Sequence, residues 1–226
     1  DGSGNNDFAN KSIITNYIYK RARLNLQGRG FLGFEKVESF TTSPTREDAH
    51  GKPIITLNSD EYELENTFVF PRLIKSHQSQ VVFTSANLFL ERSYKNLYSK
   101  EYEYSTISLD DNKRFINQLD KTIEGDNIKK SRTVTEYNYN SLTSSQNGNV
   151  DEIVKMTGDD QKGKVVTTTE FTYGNFGTLI PAHITEKRIS SVRTFDNVST
   201  APVNSITQYN YNSTNGNLLW EKELDP

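Results

Sequence analysis

Carboxylates alternate at Glu61, Glu63 and Glu65 and again at Glu101 and Glu103. On an extended chain, residues i and i+2 share a face about 7 Å apart. That is near the roughly 5 to 10 Å that separates glycosidase acid pairs. Such pairs flank a substrate from opposing walls, and one member needs surroundings that raise its pKa. Acids beside Tyr62, Leu64, Tyr102 and Tyr104 read instead as the wet face of a sheet.

Gly28-Arg29-Gly30-Phe31-Leu32-Gly33 satisfies G-x-G-x-x-G. A dinucleotide site needs a helix after it, whose N-terminus receives the pyrophosphate. Phe34-Glu35-Lys36-Val37-Glu38-Ser39-Phe40 follows with strand alternation. The segment is therefore read as a glycine-bent connection between strands, with Phe31 and Phe34 as core anchors. Asp1, Ser3, Asn5 and Asp7 set oxygens at alternate positions, as calcium loops do, but Ser12 stands where the bidentate Glu belongs. A turn accounts for the same residues. His50, His77 and His183 share no metal-ligand spacing, and there is no Cys. Neither metal nor cofactor is expected. Lys20, Arg21 and Arg23 near Tyr17 and Tyr19 make one basic patch in a chain of net charge −3, too little for a nucleic-acid platform. Sequons at Asn10, Asn197 and Asn212 are near chance for a chain so rich in Asn, Ser and Thr.

The elements that must position these residues are strands. Asn, Ser and Thr make up about 30% of the 226 residues, with 12 Tyr, 12 Phe, one Met and one Trp. Thr, Tyr and Phe favour a pleated, half-buried surface. Mean hydropathy of −0.72 implies sheets with a wet face or a thin core. No apolar run reaches the roughly 18 to 20 residues of a membrane helix. A lipid-embedded barrel is excluded by Glu186-Lys187-Arg188, which puts charge on both faces of a strand. The first residues carry no basic and then apolar signal pattern, so a mature form or an excised piece is expected.

Alternation predicts strands over Ser12–Leu26, Phe34–Phe40 and Tyr62–Phe70, the last ended by Pro71. Two more lie within Val81–Tyr104, with a turn near Asn87 or Asn96. Thr41–Pro53 reads as a turn-rich loop, and Asn112–Ile123 is the best helix candidate. From about residue 128 the chain repeats. Tyr137-Asn138-Tyr139-Asn140-Ser141 is identical to Tyr209-Asn210-Tyr211-Asn212-Ser213, and each copy then reaches Asn-Gly-Asn, at Gly148 and Gly216. Phe171-Thr172-Tyr173-Gly174-Asn175 is a degenerate copy, and Tyr102 and Tyr104 form a pair upstream. Their first aromatics fall at 102, 137, 171 and 209. About 35 residues fit two strands and two turns. Each unit is a strand ending in aromatic-x-aromatic, a turn tolerant of positive φ, and a return strand: Val150–Thr157, His183–Arg193 and Leu218–Leu224.

These residues resemble the RHS/YD-repeat proteins. Asp1-Gly2-Ser3-Gly4-Asn5, then Tyr17-Ile18-Tyr19, then Gln27-Gly28-Arg29-Gly30-Phe31-Leu32-Gly33-Phe34 is similar to SpvB-like proteins and toxin-complex B components. The Tyr-x-Tyr-Asn…Gly-Asn units resemble degenerate YD repeats, with Tyr-Asn and Gly-Asn in place of Tyr-Asp and Gly-Arg. No counterpart of the RHS core signature is present, so autoproteolysis is not carried over. The resemblance implies an all-β chain of antiparallel hairpin repeats forming a long curved or stacked sheet, with at most one short helix. It implies a non-catalytic wall or scaffold in a secreted or cell-surface bacterial protein. The partners are then the rest of a larger polypeptide or an encapsulated effector, or else a surface protein or glycan. Residues 1–40, 41–128 and 129–226 are read as a glycine-containing strand segment, an irregular β region and the repeats. Tyr17, Tyr19, Gly28, Gly30, Phe31, Gly33, Phe34, Tyr137, Tyr139, Gly148, Phe171, Tyr173, Tyr209, Tyr211 and Gly216 are its structural positions. An extracellular carbohydrate- or protein-binding β module is the alternative.

Overall fold

The structure is a computed structural model that describes residues 13–26, 28, 30–47, 53–65, 70–83, 92–109, 114–139, 149–159, 163–174, 183–196 and 198–224. Gly148, His50, Asn87, the Asp1–Asp7 oxygens and the sequons at Asn10 and Asn197 lie outside the described residues. The described residues hold strands and no helix: β1 (Ile14–Asn25), β2 (Gly30–Glu47), β3 (Pro53–Glu65), β4 (Phe70–Phe83), β5 (Arg92–Leu109), β6 (Arg114–Asp126) and β7 (Ser131–Tyr139). There follow β8 (Val150–Asp159), β9 (Gly163–Gly174), β10 (His183–Phe195), the two-residue β11 (Val198–Ser199), β12 (Val203–Tyr211) and β13 (Leu218–Leu224). They divide into two compact units. One takes in β1–β4, β5 up to Glu101, and Asp126–Ile128; the other takes in Tyr102–Gly125 and the residues from Lys129 onward.

Within the first unit, β1 to β4 and the start of β5 pair antiparallel in chain order. Directly paired residues share a face. Rows such as Glu38–Ser59–His77–Ser99 and Lys36–Glu61–Lys75–Glu101 therefore run across the strands on one side. Leu57 and Val81, the buried hydrophobic residues among those described, are on that side too, with Ser79 buried opposite Leu57 and Ser59 buried next along β3 on the same face. On the opposite side Asn58 Nδ2 donates to Ser39 Oγ at 3.4 Å, and Gln78 Nε2 donates to Asn58 Oδ1 at 2.9 Å.

In the second unit, β7, β8, β9, β10, β12 and β13 pair antiparallel in succession, and β11 pairs with β10. Both faces mix Thr, Val, Ser and charge. Hydroxyl pairs tie neighbours together: Thr133 with Thr157 at 3.2 Å and Thr167 with Ser191 at 3.0 Å. The buried residues among those described in this unit are polar, namely Gln118, Thr122 and Thr207. Backbone ladders and side-chain rows, rather than an oily interior, hold these strands.

Several expectations need correction. Asn112–Ile123 is not helical over its described part, which lies in β6. Tyr62–Phe70 is not one strand: β3 ends at Glu65 and β4 starts at Phe70, so Pro71 sits at the beginning of a strand, where a missing N–H is tolerated. The Thr41–Pro53 loop is shorter than expected, because β2 continues to Glu47. Pro44 fits there since the register with β3 shifts between Thr42 and Glu47. Asn96 marks no turn; it lies inside β5, opposite Ser79. Phe31 is no core anchor, being 58% exposed, whereas Phe34 is half-buried.

Candidate functional site

The repeated feature is a β-bulge with a tyrosine beside it. In β8, Glu152 faces Asn138 but Val150 faces Tyr139, so Asp151 is an extra residue. In β10, Glu186 faces Thr172 and Ile184 faces Tyr173, leaving Thr185 extra. In β13, Trp220 faces Asn210 and Leu218 faces Tyr211, leaving Leu219 extra. Each bulge opposes the last two residues of an aromatic-x-aromatic motif, and 151, 185 and 219 are 34 residues apart. A bulge bends its strand and re-aims nearby side chains. At β10, Thr185 Oγ1 donates to Thr172 O at 3.1 Å across the bulge.

The second aromatic of each motif reaches the preceding return strand. Tyr139 Oη donates to Leu119 O on β6 at 2.8 Å. Tyr173 Oη donates to Val150 O on β8 at 2.7 Å. Tyr211 stacks on His183 of β10, with ring centroids 4.6 Å apart and planes 22° apart. Burial pushes all three phenols up, aided by Asp120 and Tyr137 at Tyr139, by Asp151 at Tyr173, and by Tyr209 and Glu221 at Tyr211. A neutral phenol keeps its O–H, which the two carbonyl bonds require. The first aromatics, Tyr137, Phe171 and Tyr209, face Ile153, Lys187 and Glu221 across their hairpins and are half-buried. Upstream, Tyr102 and Tyr104 stack at 6.4 Å.

The glycines of the first segment adopt positive φ: 110° at Gly28, 71° at Gly30 and 103° at Gly33. Gly30 opens β2, so a strand and not a helix follows, and no helix N-terminus is present to receive a phosphate. Leu32 is the extra residue of another bulge, opposite Arg23 and Leu24. Tyr17 and Tyr19 on β1 stack at 6.2 Å; Tyr19 then meets Phe34 at 4.7 Å, and Phe34 meets Phe31 edge-on at 5.2 Å. Tyr17 and Tyr19 are 59% and 54% exposed. Arg21 and Arg23 both grip Glu35, and the hydrogen bond from Arg21 is the main reason its carboxyl lies below the usual range.

Glu61, Glu63, Glu101 and Glu103 of the alternating acids each meet a cation. Glu61 lies 3.0 Å from Lys36, Glu63 2.5 Å from Arg72, Glu101 2.9 Å from Lys75 and Glu103 3.6 Å from Lys121. These four form salt bridges along strand faces, not a facing pair across a cleft. Burial alone would push the Glu38 carboxyl up, but the ammoniums of Lys20 at 2.7 Å and Lys36 at 3.2 Å outweigh it and hold the carboxyl low.

One constellation was not legible beforehand: Glu38, Ser59 and His77 share a cross-strand row. A nucleophile must reach its base and its substrate. Ser59 is fully buried, and neither its Oγ nor His77 Nδ1 has a hydrogen-bond partner, so this row assembles no activated serine. The bulges left no residue-type signature. Their trace is the slipped alternation of Val150-Asp151-Glu152-Ile153. Among the described residues no group of three or more His, Asp or Glu side chains is placed to hold a metal, and no helix is long and apolar enough to cross a membrane.

No protein-family profile matches this chain, and no curated protein matches it. Its fold does match solved toxin-complex proteins. Against the crystal structure of TcdB2-TccC3-Cdc42 the TM-score is 0.60 at 10% identity, over 92% of this chain and 14% of that one. Against TcdB2-TccC3 it is 0.58 at 10% identity, over 92% and 15%. The chain thus has a toxin-complex-like fold and spans a small part of the length of the proteins that share it.

Proposed function

We propose that this chain is a non-catalytic structural segment of a large RHS/YD-repeat protein of the SpvB-like or toxin-complex type. It contributes β wall or scaffold that encloses a toxic or effector polypeptide, or displays one, in a secreted or cell-surface bacterial protein. The observation that carries this reading is the bulge and tyrosine recurring together at 34-residue steps in β8, β10 and β13. Repetition of one hairpin builds a surface by addition, each unit leaning on its neighbour. The scarcity of buried apolar side chains among the described residues also supports it, because a sheet normally buries one face against a second layer. The missing layer would come from the remainder of the parent or from its contents. The fold likeness to TcdB2-TccC3 is compatible with such a β scaffold.

A second reading, a glycan- or protein-binding module, is favoured by the exposed, nearly parallel rings of Tyr17 and Tyr19. Electron microscopy of the full-length parent, with a tag inserted in this segment, separates the two. A hollow closed particle with the tag in its wall is the expected result. A tag on an exposed arm would overturn the wall reading and direct ligand screening to the Tyr17 face.

A further inference from the structure

The turn between β12 and β13 brings together the groups needed for a covalent change. Asn212 N donates to Asn217 O, and Gly216 N donates to Asn212 O, both at 2.8 Å. Asn212 Oδ1 accepts from Thr214 N at 2.8 Å and from Asn215 N at 3.3 Å. Asn215 is exposed, and its own Oδ1 accepts from Asn217 N at 3.0 Å. That hydrogen bond draws electron density from the Asn215 carboxamide and leaves Cγ more electrophilic. The next residue is Gly216 at φ 71°, with no side chain to shield its backbone nitrogen.

We propose that Asn215 is a site of spontaneous deamidation. The Gly216 nitrogen loses its proton to solvent base and attacks Asn215 Cγ. The new N–Cγ bond closes a five-membered succinimide, the Cγ–Nδ2 bond breaks, and ammonia leaves with a proton from water. A second water opens the ring at either carbonyl, giving aspartate or isoaspartate. The net change is amide plus water to carboxylic acid plus ammonia, with no oxidant or reductant. The Asn217 N–H on Oδ1 also faces the oxyanion of the tetrahedral intermediate, where a fixed donor is worth most. Gly216 must first release Asn212 O, which an exposed hairpin end does by local opening. Asn212 has the same polarised Oδ1 but precedes Ser213, whose Cβ hinders attack, so it stays an amide. Isoaspartate lengthens the turn backbone by one carbon and breaks the paired bonds between Asn212 and Gly216–Asn217. Either product adds a negative charge to a hairpin that already carries Glu221 and Glu223.

The test is incubation of the whole chain at mildly alkaline pH, folded and in urea. Peptide mapping by mass spectrometry would be combined with isoaspartate detection by a protein isoaspartyl methyltransferase. Mapping keeps Asn215 separate from Asn147, which also precedes a glycine. In the folded chain Asn215 is expected to convert within about tenfold of its rate in urea, since an exposed turn opens at low cost. Asn212 is expected to remain an amide, and Asn215→Gln to remove the methyl acceptance of that peptide. The proposal is overturned if folded Asn215 stays an amide while the urea-treated chain converts it, or if Asn212 converts as fast.

Discussion

The pair Tyr17/Tyr19 and the pair Tyr137/Tyr139 have the same spacing and opposite fates. On β1 the rings stack on each other with more than half their surface in solvent. On β7 the second ring crosses to β6 and its hydroxyl holds the Leu119 carbonyl. The difference follows from what lies beside each strand. β7, β9 and β12 each have a return strand before them to receive the second aromatic; among the described residues β1 has none. An aromatic-x-aromatic motif is thus half of an interaction, completed only by the preceding hairpin.

Truncation should separate the two tyrosine pairs most strongly. Tyr139→Ala and Tyr173→Ala should each destabilise the chain by about 3 kcal/mol, as large-to-small changes at packed aromatics do. Tyr17→Ala should stay within about 0.5 kcal/mol, as exposed positions do. Equal losses in chemical denaturation would erase the distinction between the two regions. A step smaller, Gly216→Val should cost about 1–3 kcal/mol, because a β-branched residue is strained at a φ of 71°. An unchanged melting temperature would remove the turn assignment from the last hairpin.

Smaller still is Tyr139→Phe, which deletes only the hydroxyl and should cost about 1 kcal/mol, against nothing measurable for Tyr19→Phe. The same hydroxyls set an alkaline limit. A phenol raised in the folded state favours folding while protonated. Stability should therefore be level below the ordinary phenol range of about pH 10 and fall as pH climbs through the raised values. Three such phenols lie in the hairpins, at Tyr139, Tyr173 and Tyr211, and one in the first unit, at Tyr62. A Tyr139→Phe/Tyr173→Phe double variant should flatten the decline in a pH series of thermal melts. If the slope is unchanged, those two phenols do not set the limit.

The β character of the chain was readable from alternation, and β13 runs over the same Leu218–Leu224 that the pattern marks. The part of Asn112–Ile123 that lies in β6 carries an ambiguous spacing. Gln118 and Thr122 are buried and four residues apart. Positions i and i+4 share a face in a helix and in a strand alike, so the spacing could not decide. Pairing in a sheet overrode a composition with some helix preference. At the candidate site, the aromatic spacing stood in the sequence but its anchors did not. Leu119 O and Val150 O are backbone atoms that any residue could supply. The cations on Glu61, Glu63, Glu101 and Glu103 come from other strands, set by register rather than by neighbours in the chain.

The polar interior has a thermal consequence. Heat capacity rises on unfolding mainly because apolar surface becomes wet, while newly exposed polar surface lowers it. With the buried residues among those described chiefly Ser, Thr, Gln and Glu, the chain should fall below the usual increment of about 12–15 cal/mol/K per residue. Its stability curve would then be shallow, with a broad plateau where ordinary domains show a pronounced dome. Material of this kind keeps nearly the same strength in the cold and in the heat.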